Sequence, residues 1–205
     1  MPGFTSRRSL VETTLGDLVF IRVPIRPFRE VAAATGSWTN HVGIVVGTDD
    51  DGEALIGEST FPFSRTTKLS RFIARSEGER VAVARLVDEP TDEQKNAIVD
   101  AARRRAGVFY DTGFNLSSSR QFCSRYVREV LREATGTEVG EVETFAQLLA
   151  RRPGTGLGFW RLWYFGSIPW HRETVTPASV LASPALRLVF DGTASRAAAF
   201  RGGAC

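Results

Sequence analysis

The run Asn40–His41–Val42–Gly43–Ile44–Val45–Val46–Gly47 breaks at the acidic stretch Thr48–Asp49–Asp50–Asp51–Gly52 and resumes as Ala54–Leu55–Ile56–Gly57–Glu58–Ser59–Thr60. Branched aliphatic residues suit a pleated sheet, and a polar, glycine-ended turn between two such runs specifies an antiparallel hairpin. If Thr48 to Asp51 form the loop, Gly47 pairs with Gly52 and His41 stands directly opposite Glu58. A register slipped by one residue would turn Glu58 to the other face. In the first register the carboxylate can fix the imidazole's tautomer and stabilise its charged form. In the second, Glu58 is an ordinary solvated strand residue.

Other strands and helices surround this hairpin. Leu18–Val19–Phe20–Ile21 follows the turn Gly16–Asp17 and ends before Pro24 and Pro27, while Val81–Ala82–Val83–Ala84–Arg85–Leu86 is apolar almost throughout, as a central strand would be. Phe28, Val31, Ala32 and Ala34 space a short helix closed by Gly36, and the segment 61–75 reads as a loop with one helical turn at Leu69, Phe72 and Ile73. Thr91 with Gln94 three residues on is a capping box and predicts a helix to about Ala106, stopped by Gly107. Further on, Thr144 caps a helix over Phe145–Ala150 that stops at Pro153–Gly154. Thr176–Pro177 opens another helical turn, and Ser183–Asp191 is a final strand. A single domain over residues 1–191 is expected, with an aromatic-rich insertion around 155–175 and a flexible tail over 192–205.

Chemistry enters at Arg120–Gln121–Phe122–Cys123–Ser124–Arg125–Tyr126–Val127. The polar run Asn115, Ser117, Ser118 and Ser119 precedes it, and Phe122, Tyr126, Val127, Val130 and Leu131 then recur at helical spacing until Gly136. This puts Cys123 at a helix start, where the positive end of the helix dipole favours thiolate over thiol. A buried cysteine that only packs is the alternative. A nucleophile needs a base, and the chain has two histidines, His41 and His171. His41 opens a strand that would hold it rigidly, whereas His171 lies in the turn-like, charged stretch Pro169–Trp170–His171–Arg172–Glu173, so His41 is the candidate.

Composition excludes several classes. With 205 residues and 42% hydrophobic residues the chain can build a core. The net charge of +3 is spread among acids, and Arg103–Arg104–Arg105 falls at a helix end where cations complement the negative pole, so no nucleic-acid partner is expected. Two cysteines far apart, one of them the terminal Cys205, read as free thiols in a reducing compartment. The N-terminal segment lacks a signal-peptide core and no stretch approaches the roughly 20 apolar residues of a membrane span, which makes a cytoplasmic location the expectation. Two histidines and two cysteines write no zinc-type cluster, so no metal and no cofactor are expected. The aromatic stretch Phe159–Trp160–Arg161–Leu162–Trp163–Tyr164–Phe165, with Trp170 after it, either fills the core or lines an apolar groove.

Leu15–Gly16–Asp17–Leu18–Val19–Phe20, then His41–Val42–Gly43–Ile44–Val45, Gly57–Glu58, Tyr110–Asp111 and Phe122–Cys123–Ser124 together resemble the circularly permuted papain-like hydrolases related to the NlpC-type cell-wall peptidases, the YaeF/YiiX group. In that group the histidine strand precedes the cysteine helix. The resemblance covers most of Leu15 to Ala134, and Thr176–Pro177 with Leu188–Val189 is similar to the group's end. It implies an α+β, papain-like, circularly permuted fold in which an antiparallel sheet or small barrel packs against the helix bearing the cysteine. It also implies Cys123 as nucleophile, His41 as base and Glu58 as third residue, with Tyr110, Asp111 and Ser124 at the substrate.

The expected activity is that of a cysteine amidohydrolase or peptidase working through a thioester on a small peptide, an acyl-amide or a lipid-like molecule. The alternatives are a lipid acyltransferase or phospholipase of the lecithin retinol acyltransferase type, where Phe122–Cys123–Ser124 stands in place of an Asn–Cys–Glu motif, and a non-catalytic binding module. Substrate and oligomeric state are not specified by these motifs.

Overall fold

The computed structural model describes residues 12–152 and 156–194. Cys205, the Pro153–Gly154 stop and nearly all of the expected tail lie outside them. Eight strands are described: β1 (Leu18–Ile21), β2 (His41–Thr48), β3 (Ala54–Glu58), β4 (Arg65–Lys68), β5 (Arg80–Leu86), β6 (Val142–Thr144), β7 (Glu173–Val175) and β8 (Leu186–Thr193). Six of them make one antiparallel sheet in the order β4-β3-β2-β1-β5-β8, and β6 pairs with β7 apart from it. The sheet is open, with β4 and β8 at its edges, so of the two expected forms it takes the sheet and not the barrel. The helices are α1 (Arg26–Thr35), α2 (Leu69–Ile73), α3 (Asp92–Arg104), α4 (Cys123–Thr135), α5 (Phe145–Ala150), α6 (Gly158–Trp163) and α7 (Pro177–Leu181).

Side chains alternate along a strand, so β1 and β5 feed two cores. Leu18, Phe20, Val42, Ile44, Ala82 and Ala84 face α3 and α4, while Val19, Ile21, Val45, Ile56, Val81 and Val83 pack under α2. Continuous apolar runs are what strands covered on both faces require. On α4, Val127, Val130 and Leu131 are fully buried. Burial of each stabilises by about 1.5–3 kcal/mol, which fixes the helix and with it the thiol at its start.

Glycines set how close the helices come. A Cβ on Gly57 would stand 2.7 Å from the Tyr126 hydroxyl of α4, and one on Gly43 would stand 2.4 Å from Ile56 Cγ2 and 3.1 Å from the Phe72 ring of α2. Both helices therefore lie against the hairpin at backbone distance.

The hairpin register differs from the expected one. Thr48 pairs with Ala54, so the loop is Asp49–Glu53, and a bulge between Val45 and Gly47 brings Ile44 opposite Gly57. The longer loop and the bulge together shift the pairing by two residues. Glu58 is thus diagonal to His41 and not directly opposite, yet on the same face, because a shift of two preserves side-chain parity.

The capping box of Thr91 with Gln94 forms as read, and the caps read at Thr144 and Thr176 prove to be boxes too, with Gln147 and Ser179 returning the hydrogen bond to the backbone. The segment expected as loop contains β4, and β6 and β7 had no signature of their own, being three residues each. The final strand continues to Thr193, beyond the expected boundary at Asp191. The aromatic segment is no appendage. Trp160 is among the largest fully buried side chains and meets Phe145 edge-on at 5.9 Å, while Leu162 and Phe165 of the same stretch are exposed.

Candidate active site

Cys123 is the first residue of α4. Its N-cap is Phe122, an extended residue with no side-chain cap, and the preceding polar run does not supply one. Asn115 and Ser118 instead accept hydrogen bonds from Ser117 N and Arg120 N within their own loop, and Arg125 Nη1 ties that loop to the helix through Ser118 O and Arg120 O. The uncapped end leaves first-turn N–H groups for other acceptors. The Ser124 N–H is directed at the thiol, and the Val42 N–H reaches it from the start of β2.

His41 approaches from the other core. Its ring lies 5.5 Å from Phe72 and 6.1 Å from Phe28, and it is 1% exposed. Nε2 sits 2.7 Å from Glu58 Oε2, which leaves Nδ1 for the thiol. Nδ1 completes no full hydrogen bond in this arrangement, and Cys123 is the group that acts on it by charge and by partial hydrogen bonding. Glu58 is fully buried and fully occupied: Arg75 Nη2 donates to Oε2 at 2.7 Å, Thr67 Oγ1 to Oε1 at 2.7 Å, and Arg65 Nε stands 3.9 Å from Oε1.

These neighbours decide the charge states. Burial pulls the His41 imidazole down, but the Cys123 sulfur and then the Glu58 carboxylate outweigh it and raise its pKa from 6.5 to about 9. Burial raises Glu58, and its bonds to His41 and the Arg75 guanidinium reverse this, bringing it from 4.5 to about 2. For Cys123, burial opposes ionisation while the His41 contact and the Val42 and Ser124 N–H groups favour it, and the net direction is down. All three shifts run toward thiolate beside imidazolium beside carboxylate.

Tyr110 is buried against Phe28, 6.1 Å between rings, and its hydroxyl has no hydrogen-bond partner of full geometry. Burial first and the Cys123 charge second push its pKa well up, so it stays a neutral donor beside the sulfur. Asp111 turns inward: its carboxylate accepts from Gly113 N at 2.8 Å and Asn115 N at 3.1 Å, which shapes the loop next to Tyr110. Ser124 donates its hydroxyl to Val175 O at 2.7 Å and so ties α4 to β7. His171 is exposed in a turn. Among the described residues no group of three or more His, Cys, Asp or Glu side chains is placed to hold a metal ion, and no helix is long and apolar enough to cross a membrane.

Beside the thiol a narrow apolar slot runs between α1, α4, α5 and α6, walled by Phe28, Val31, Phe122, Phe145, Leu148 and Trp160. Arg75, Thr67 and the Val42 N–H were missed in the sequence. Each reaches the site only through the fold, and a surface-type arginine after a short helical turn carries no local sign that it clamps a buried carboxylate. Phe28 was legible as a helix residue but not as the ring standing between His41 and Tyr110.

Comparison with known proteins places the fold in a family. The chain is 27% identical over 174 residues to the uncharacterized protein YiiX of Escherichia coli (strain K12), a match covering 85% of this chain and 84% of the relative. The crystal structure titled metalloprotein yiiX, from Escherichia coli O157:H7, superposes with a TM-score of 0.76 at 25% identity, covering 88% of this chain and 98% of that one. The sequence model of the permuted papain-like amidase enzymes, the YaeF/YiiX or C92 family, matches residues 12–190. With the histidine strand ahead of the cysteine helix and the sheet inside that match except for the last three residues of β8, this chain belongs to the C92 family of permuted papain-like amidase enzymes.

Proposed function

We propose that the protein is a cysteine amidohydrolase with Cys123 as nucleophile, His41 as general base and acid, and Glu58 as the residue that orients and charges His41. One observation carries this reading: a fully buried imidazole held on Nε2 by a buried carboxylate, with its other nitrogen left to a thiol at an uncapped helix start. The thiolate attacks the amide carbonyl, forming a carbon–sulfur bond, and His41 gives its proton to the amine as the carbon–nitrogen bond breaks. Water then adds to the thioester, His41 accepts a proton from it, and the acid leaves as the thiolate is restored. The oxyanion is met by first-turn N–H groups of α4 and by the Tyr110 hydroxyl, which is held beside the sulfur without a hydrogen bond of full geometry. Asp111 and Ser124 act at one remove, Asp111 by shaping the loop of Tyr110 and Ser124 by anchoring α4 to β7.

The test is the pH dependence of Cys123 alkylation by iodoacetamide, in a Cys205→Ser background so that one thiol reports. A thiolate that persists well below pH 8.5, and that vanishes in His41→Ala, supports the pair. Titration like an ordinary buried thiol, indifferent to His41, would reduce the protein to a binding module of papain-like shape.

A further inference from the structure

Resting on that reading, we infer that the slot beside Cys123 is an acyl pocket, and that it selects short, unbranched acyl groups of about two to four carbons. Two observations on its geometry carry this. The slot touches Cys123 and Ser124 but His41 does not line it. The leaving amine must come within hydrogen-bond reach of His41 to be protonated, so the part of the substrate in the slot is the part that stays on sulfur as the thioester. The space is also small, about 20 Å³, room for one or two water-sized groups.

Part of its wall is built from core. Phe145 and Trp160 are each 1% exposed and meet edge-on, Trp160 stacks on Tyr164 at 6.2 Å, and the Thr144–Gln147 capping box fixes the turn that presents Phe145. A longer chain would have to displace these rings, which close packing opposes. Leu148 and Thr176 are the exceptions. Both are buried and line both the slot and a separate surface groove of about 500 Å³ bordered by Glu143 and Ala182. Leu148 is the apolar one of the two, so shortening it joins a short pocket to a long one.

The acyl group arrives bonded to the nitrogen or oxygen of its leaving group and leaves as acid: sulfur bonds to the carbonyl carbon as the bond to the leaving group breaks, and water then cleaves the thioester to release the carboxylate and restore the thiolate. Para-nitrophenyl esters of acetate, butyrate, octanoate and dodecanoate report the first half directly, as nitrophenolate release and as added mass on Cys123. In the Cys205→Ser protein, acetyl or butyryl transfer should exceed octanoyl transfer by about tenfold or more. Leu148→Ala should move the optimum to octanoyl, and the milder Leu148→Val should move it part of the way if the alanine variant folds poorly. Phe165→Ser, on an exposed side chain that does not line the slot, should leave the chain-length profile unchanged.

Equal rates at all lengths, a parent preference for dodecanoyl, or an optimum unmoved by both Leu148 variants would overturn the acyl pocket while the hydrolase reading stands. So would absence of acylation by every ester in a protein whose Cys123 still shows the His41-dependent thiolate. Loss of that thiolate itself removes the hydrolase reading, and the pocket assignment with it.

Discussion

The two sides of the His41 ring are built on opposite plans. On the Nε2 side every acceptor of Glu58 is occupied, by His41, Arg75, Thr67 and more distantly Arg65, and the carboxylate is sealed from solvent. On the Nδ1 side polar groups are left open: Nδ1, the Tyr110 hydroxyl and an α4 start with no side-chain cap. A buried polar atom without a partner costs stability, so an open cluster around a thiol is a place where the fold holds groups in reserve for a reacting molecule. The saturated side holds the ring in position and sets its charge. The open side is where bonds can change.

The comparison is broken most severely on the open side. Cys123→Ser should lower turnover by about 10³-fold or more and abolish the acyl-enzyme mass, since a hydroxyl beside the same imidazolium is far from ionised. His41→Ala should cost about 10²-fold or more and return Cys123 to ordinary thiol titration, measured by alkylation. In the parent, activity should decline as pH rises through about 9, where His41 loses its proton.

The saturated side is probed by Glu58→Gln. Turnover should fall about 10–100-fold because the imidazolium loses its partner, and the fold should lose about 3–5 kcal/mol because Arg75 is left beside an uncharged group. Linkage gives the sign of the pH effect. A carboxylate lowered from 4.5 to about 2 contributes stability that is complete above pH 4.5 and is lost as pH falls toward 2. Thermal melts should show this acid limb in the parent and a flatter one in Glu58→Gln.

The smallest change sharpens the contrast. Tyr110→Phe removes a hydroxyl with no partner of full geometry in the folded protein, so turnover should fall about tenfold while stability moves by less than about 0.5 kcal/mol. A large loss of stability with unchanged turnover would make Tyr110 a core residue and not an oxyanion donor.

Much of the saturated side was hidden in the sequence and much of the open side was not. A cysteine between a polar run and an apolar helical stripe is a local pattern, as are the strand that carries His41, the Thr91–Gln94 capping box and the caps at Thr144 and Thr176. Even there a detail differs: α4 starts at Cys123 as read, but its N-cap, Phe122, offers no side-chain cap, and Asn115 and Ser118 spend their oxygens on their own loop. Arg75 and Thr67 come from a segment read as loop, and nothing nearby in the chain signals that they converge on Glu58.

What the sequence determined by itself is what depends on neighbours along the chain: period-two strands, helix stripes and caps, the order of histidine strand before cysteine helix, and the family that this order and its motifs resemble. The tertiary structure decided everything that depends on distance across the fold. The loop length and the bulge each altered the hairpin register, and only their sum, a shift of two, kept His41 and Glu58 on one face. The slot beside Cys123 exists because the fold brings side chains from residues 28 to 177 within contact, and the space left between packed side chains is fixed by no single segment.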